Sequence, residues 1–194
     1  MAKENNLVGA KMWTALIISK YRGIRGGDLV RLCWNQVAIS QDGVEIAPTR
    51  FKNERFSNRW RFRVKATDGL DNITEAFSTL RRLSKIGSGR GPVFGSWKSS
   101  TIAYHLKRNS KMIGESISLH QIRVLITIGL TAIGWSDEAI KQHLNWTSLE
   151  SLERYRAGID LGGLTNLNSL ENLYKDRNVQ DRVNEAVKKS KFGK

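Results

Sequence analysis

Four short groups of residues carry side chains with useful chemistry. Gly23-Ile24-Arg25-Gly26-Gly27-Asp28-Leu29-Val30-Arg31-Leu32-Cys33-Trp34 sets an arginine among glycines, ahead of an L-x-x-L-x-W run. His120-Gln121-Ile122-Arg123 is the second group, Asn145-Trp146 the third, and Tyr155 within Glu153-Arg154-Tyr155 the fourth. Trp146 lies 23 positions after Arg123, and Tyr155 lies 9 after Trp146. These side-chain types suit a phosphate group. A guanidinium is always charged, planar, and able to bridge two phosphate oxygens. An imidazole can accept or return a proton near neutral pH, whereas an indole N–H can only donate a hydrogen bond. A phenol, with an unperturbed pKa near 10, becomes a nucleophile when its proton is accepted. The whole-chain charge points the same way. Lys and Arg number 32 against 18 Asp and Glu, a net +14 over 194 residues. That excess predicts a polyanionic partner: nucleic acid first, an anionic membrane surface second.

Singly, each of these residues has an ordinary alternative. Arg25 alone reads as a solvated residue after a helix, and His120 as a helix cap. Trp146 alone reads as core, as large aromatics usually are. Tyr155 alone reads as packing on an amphipathic helix. His105 and His143 read as surface or interface residues, with His143 a minor alternative base. The Gly87–Gly91 stretch lacks the G-x-x-x-x-G-K-[ST] pattern of a phosphate loop and reads as a linker.

Helices and strands must hold these groups in place. Ala10, Trp13, Leu16 and Ile17 predict a helix over 8–22, ended by Gly23, Gly26 and Gly27. Asp28 then predicts the cap of a second helix carrying Leu29, Val30, Leu32 and Cys33. Val37 and Ile39, Asp42-Gly43, then Val44 and Ile46 predict a hairpin. Trp60, Phe62 and Val64 alternate with Arg59, Arg61, Arg63 and Lys65, a strand with one apolar and one basic face. The connection Arg50-Phe51-Lys52-Asn53-Glu54-Arg55 is polar and basic. Ile73, Phe77, Leu80 and Leu83 predict a helix after Asp71, and another is expected from Ser99 to Met112. Ser118-Leu119-His120 opens the most apolar helix, ending near Gly134. Ser136-Asp137-Glu138 starts a helix over 137–144, and Thr147 or Ser148 starts one running through Tyr155 to Gly158. The fold class expected is α+β, mostly helical with a small antiparallel β-sheet.

The ordered set resembles the catalytic domain of the tyrosine recombinases, the phage integrase family. The family pattern is G-x-R-x-x-E/D-L-x-x-L-x-W, a lysine in a β-hairpin, H-x-x-R, then His or Trp, then Tyr. The resemblance runs from about Trp13 to Gly158 and rests on the whole order, since H-x-x-R alone occurs by chance in many proteins. It implies the tyrosine recombinase/integrase catalytic-domain fold over 1–164, with 165–194 as a C-terminal tail. It also implies cutting and rejoining of double-stranded DNA through a covalent 3′-phosphotyrosine, without metal, ATP or other cofactor. Arg25 and Arg123 would then neutralise the phosphodiester as charge builds on its oxygens. Tyr155 would attack, with His120 in the acid–base role. Trp146 would support the phosphate and pack near Tyr155. Lys52, 27 positions after Arg25, would protonate the leaving 5′-oxygen. Lys52 is preferred to Lys65, at the far end of the third strand, and Arg50 cannot serve as an acid at neutral pH. Asp28 would orient the site by hydrogen bonding. Arg50, Arg55, Arg59, Arg61 and Arg63 are candidates for DNA contact.

The family's usual core-binding domain has no counterpart in the 24 residues ahead of Arg25. Either the chain is a catalytic fragment or a short member with one half of the usual clamp, and affinity and site specificity would fall accordingly. By the same resemblance, the tail would join neighbouring protomers in a tetramer on DNA, with Leu167, Leu170, Leu173 and Tyr174 as apolar contacts. The Lys188-Lys189-Ser190-Lys191 cluster reads as a solvated tail. Two other readings stay open: a non-catalytic DNA-binding module of the same fold, and a type IB topoisomerase-like nicking-closing enzyme. Composition limits the rest. With 40% hydrophobic and 26% charged residues the chain is globular rather than disordered. The single Cys33 excludes a disulfide scaffold and a cysteine zinc cluster. The longest apolar run, Val124–Trp135, is interrupted and shorter than the roughly 20 residues a membrane span needs, so a soluble, cytoplasmic protein is expected.

Overall fold

The computed structural model describes residues 7–48, 61–67, 71–84, 89–110, 117–146 and 148–153. The chain divides into two compact units, Met1–Arg123 and Val124–Lys194.

The first unit opens with α1 (Leu7–Arg22), which packs against α3 (Ile73–Ser84). The pairing follows from periodicity. Ile73, Ala76, Phe77 and Leu80 line one face of α3 and are fully buried, while Ser78, Arg81 and Arg82 face outward. Asn72 caps α3, its Oδ1 accepting from the Glu75 N–H at 3.0 Å. Thr14, buried on α1, donates to the carbonyls of Ala10 (2.9 Å) and Ala76 (3.3 Å), so its hydroxyl is satisfied inside the helix contact.

Beside the helices lies a three-stranded antiparallel sheet in the order β1 (Val37–Ser40), β2 (Gly43–Ile46), β3 (Phe62–Lys65). Val44, Ile46, Phe62 and Val64 bury the inner face, as alternation predicts. The hairpin forms where expected, with one shift. Ser40 pairs with Gly43, so the two loop residues are Gln41 and Asp42, and Gly43 is the first residue of β2. Gln36 closes the other end: its carbonyl accepts from the Ala47 N–H at 2.9 Å.

The segment after Gly23 departs from expectation. The helix capped by Asp28 does not form. Instead α2 (Gly26–Leu29) starts two residues before Asp28, with Arg25 in the N-cap position and making no side-chain cap. The cause is local. The Arg25 carbonyl accepts from both the Asp28 N–H (3.0 Å) and the Leu29 N–H (2.9 Å), so the chain is already helical at Asp28. The element then ends because Cys33 enters an antiparallel bridge with Pro92, and Trp34 N–H and Val93 N–H donate across it.

The remaining elements match their predicted places: α4 (Ser99–Ser110), α5 (Leu119–Ala132) and α6 (Asp137–His143). The division between the units falls within α5, after Arg123. In the second unit Ile140, Leu144, Trp146 and Leu152 form a buried apolar cluster, with Ile126 and Leu130 packed on it. Ser136 caps α6, its Oγ accepting from the Ala139 N–H at 3.3 Å. The N–H groups of Leu152 and Glu153 both reach the Leu149 carbonyl and open a helical turn. Its predicted continuation through Tyr155 to Gly158, and the tail 165–194, lie outside the described residues. Among those residues no helix is long and apolar enough to cross a membrane. Among the described residues the fold is α+β, mostly helical with one small antiparallel sheet.

Candidate functional site

Two of the groups singled out by spacing meet in the first unit. The helix α1 ends at Gly23, which takes a left-handed φ of 53° and donates its N–H to the Ser19 carbonyl at 2.8 Å. This is a glycine C-cap, and it frees the Gly23 carbonyl to point away from the helix. Arg123, a hundred positions later, donates its Nη1–H to that carbonyl. A second contact joins the same segments: a Cβ on Gly26 would lie 3.0 Å from Leu119 Cδ1 and 3.4 Å from Ser99 Cβ. The glycine at 26 thus lets the Arg25 turn lie directly on the starts of α4 and α5. The glycines around Arg25 therefore have separate tasks, one ending a helix and one permitting a close approach.

The start of α5 is fixed by its own sequence. The Ser118 Oγ accepts from the Gln121 N–H at 3.1 Å, and the Gln121 Oε1 accepts from the Ser118 N–H at 2.7 Å. This reciprocal capping box has the sequence signature S-x-x-Q. It sets His120 in the first turn and Arg123 one turn on, on the same side of the helix. His120 is exposed, whereas Arg123 is only 3% exposed. Arg25 is half-buried, and among the described residues no hydrogen bond or ion pair engages its guanidinium.

The L-x-x-L-x-W part of the motif anchors the Arg25 turn. Leu29, Leu32 and Trp34 are buried in the main core, and Trp34 meets Phe77 of α3 edge-on, with ring centroids 6.1 Å apart. Asp28 is 5% exposed and sits inside α2. Sequence reasoning missed Arg22. Its guanidinium lies over the Phe62 ring at 4.6 Å, and burial lowers its pKa below the usual arginine value, although a guanidinium stays charged at neutral pH. Three arginines thus share the backbone of residues 22–25: Arg22 and Arg25 belong to it and Arg123 is bonded to it. Like charges so placed favour an anion as their neighbour.

On the sheet, Arg61 and Arg63 point outward from the β3 side, with side chains 70% and 53% exposed. Both have acidic partners: Arg61 Nε lies 3.1 Å from Glu45 Oε1, and Arg63 Nη2 lies 3.7 Å from Asp42 Oδ2. Lys52, Arg50, Arg55 and Arg59 lie outside the described residues, as does Tyr155.

In the second unit, Asn145 and Trp146 close α6. Asn145 has a left-handed φ of 50° and donates its N–H to the Gln142 carbonyl, while Trp146 N–H reaches the Lys141 carbonyl at 2.9 Å. These are the two bonds of a Schellman motif, and the apolar residue that follows the left-handed position is Trp146, 5% exposed in the second cluster. The pair thus forms the terminus of α6. Trp135 stands edge-on to His143 with centroids 5.3 Å apart. Among the described residues no group of three His, Cys, Asp or Glu side chains could hold a metal ion.

Comparison with known proteins places the fold. Among solved structures the chain is similar to the crystal structure of XerA recombinase, with a TM-score of 0.56 and 16% sequence identity. The match covers 75% of this chain and 51% of that one, so the chain spans about half the length of that recombinase. No family model matches the chain, and no curated protein matches it in sequence.

Proposed function

We propose, starting from the fold shared with XerA recombinase, that this chain is a DNA strand transferase of the tyrosine recombinase type. Its substrate is double-stranded DNA, and the reaction is cleavage and rejoining of one strand at a time. Arg25 and Arg123 bind the non-bridging oxygens of the scissile phosphodiester and stabilise the charge that builds there. Tyr155 attacks phosphorus and forms a 3′-phosphotyrosyl bond as the bond to the 5′-oxygen breaks. His120 accepts the phenolic proton, and Lys52 gives a proton to the departing 5′-oxygen. A 5′-hydroxyl then attacks the phosphotyrosine, the protons return, and the phosphodiester is restored. Because the covalent intermediate keeps the bond energy, the cycle needs no ATP. In this reading residues 1–164 act as one catalytic domain. The protein works inside the cell, where its DNA is.

The observation that carries the reading is the bond from Arg123 to the Gly23 carbonyl. It joins the H-x-x-R helix to the G-x-R turn, two motifs whose meeting the proposed chemistry requires. One observation favours a second reading, a non-catalytic DNA-binding module. Arg123 is 3% exposed, and a side chain so buried can serve the fold alone. A nicked suicide duplex separates the two. An enzyme leaves a protein–DNA adduct that is resistant to denaturation and absent in Tyr155→Phe. Duplex binding without any adduct identifies the binding module. Relaxation of supercoiled plasmid without sequence preference points instead to the topoisomerase-like activity.

Residues 165–194 belong to the same proposal as a tail that reaches a neighbouring protomer and helps build a tetramer on DNA. Deleting them is expected to lower the oligomeric state measured by sedimentation on duplex DNA. An unchanged assembly would count against that role.

A further inference from the structure

The outward side of the sheet presents arginines and carboxylates in register. On β2 and β3, Glu45 stands directly opposite Arg63, and its carboxylate takes Arg61 at 3.1 Å. Asp42, at the hairpin loop, takes Arg63 at 3.7 Å. All four side chains are solvent-exposed, from 42% at Glu45 to 86% at Asp42. Exposed pairs of this kind stabilise a fold little, because water and salt screen them. The apolar inner face of the same strands already holds the sheet. In a chain with 32 basic and 18 acidic residues, two carboxylates set against Arg63 of β3 and Arg61 just before it thus call for an explanation other than stability.

We propose that Glu45 and Asp42 are specificity-determining residues that restrain Arg61 and Arg63 from binding phosphate indiscriminately. The inference rests on the DNA-binding reading above. A phosphate oxygen approaching Arg61 must displace the Glu45 carboxylate or lie close to it, and either lowers the net attraction. A duplex that follows the sheet can meet that cost because several contacts form together. A duplex touching the face at one point cannot. The carboxylates therefore reduce the sequence-independent part of the affinity, which is the part that comes from neutralising backbone charge.

The test is equilibrium binding of a random-sequence DNA duplex over a range of salt concentrations, using the full chain. Glu45→Gln and Asp42→Asn are compared with Glu75→Gln, which makes the same change in net charge on α3, where Glu75 has no ion pair among the described residues. The expected result is roughly tenfold tighter binding at low salt for Glu45→Gln and Asp42→Asn, a gap that closes as salt rises. The salt dependence should steepen by about 0.9 in log–log slope for each phosphate newly engaged. Glu75→Gln should change affinity far less. In an Arg61→Gln, Arg63→Gln background the gain from Glu45→Gln should vanish. If Glu45→Gln and Glu75→Gln tighten binding equally, or the gain survives loss of both arginines, the restraint does not exist although the protein binds DNA. If neither the native chain nor any variant binds duplex at low salt, the DNA-binding reading falls, and this inference falls with it.

Discussion

Arg123→Ala is expected to reduce cleavage of a nicked duplex about a thousandfold or more, and to lower the melting temperature as well. The two losses have different sources. In the proposed reaction the guanidinium stabilises charge that develops on the phosphodiester, and removing one such donor from a transition state costs on the order of 10² to 10³ in rate, more where an arginine serves a phosphoryl group. Separately, Arg123 donates to the Gly23 carbonyl in a buried setting. Truncation leaves that carbonyl without this donor, a cost of about 1–3 kcal/mol. Arg25 should divide from Arg123 on this point. No hydrogen bond or ion pair among the described residues engages its guanidinium, so Arg25→Ala should lose cleavage comparably while melting near the native temperature. Arg123→Lys keeps the charge but loses the planar fork, and should recover stability better than rate. Single-turnover cleavage and thermal denaturation measured on the same preparations read both effects. Near-native cleavage in Arg123→Ala would remove the two-arginine mechanism. An unchanged melting temperature would remove the structural role of the Gly23 contact.

Much of this arrangement is legible in the sequence. Periodic apolar residues place α1 and α3, the most apolar run places α5, and Ser136 marks the start of α6, because helix faces and caps are local properties. The order of the motifs led to Arg25, His120 and Arg123, and the first unit does bring the Arg25 turn against the H-x-x-R helix. What stayed hidden depends on partners distant in sequence. The helix after Gly23 was placed late because Asp28 is a good capping residue, whereas the Cys33–Pro92 bridge decides how far that segment stays helical. The acid partners of Arg61 and Arg63 required the strand register. The Schellman terminus at Asn145-Trp146 also depends on a left-handed residue, which asparagine tolerates but its presence alone does not announce. The division after Arg123 has no local signal at all, since it falls inside a continuous helix.

Gly43→Ala is expected to destabilise the first unit by about 3–5 kcal/mol, the sum of backbone strain and an overlap that cannot relax. Gly43 was read as a turn residue, and its requirement proves stricter than a turn's. It opens β2 at a φ of 147°, where an L side chain is strained. A Cβ there would stand 2.2 Å from the Val64 carbonyl oxygen, 2.9 Å from Lys65 Cα and 3.1 Å from the Ala66 nitrogen. All three are backbone atoms of the neighbouring strand, so no rotamer change relieves them. The strands must separate, and the Ala66 N–H to Asp42 carbonyl bond at 2.9 Å goes with them. Gly27 supplies the control. A Cβ there meets nothing within 4 Å, so Gly27→Ala should be neutral or slightly stabilising. In a chain of this length each kcal/mol shifts the melting temperature by about 2–4 °C, so the two variants should lie about 6–20 °C apart. Equal melting temperatures for the two variants would mean that β3 does not cross β2 at Gly43, and the register that pairs Glu45 with Arg63 would fall with it.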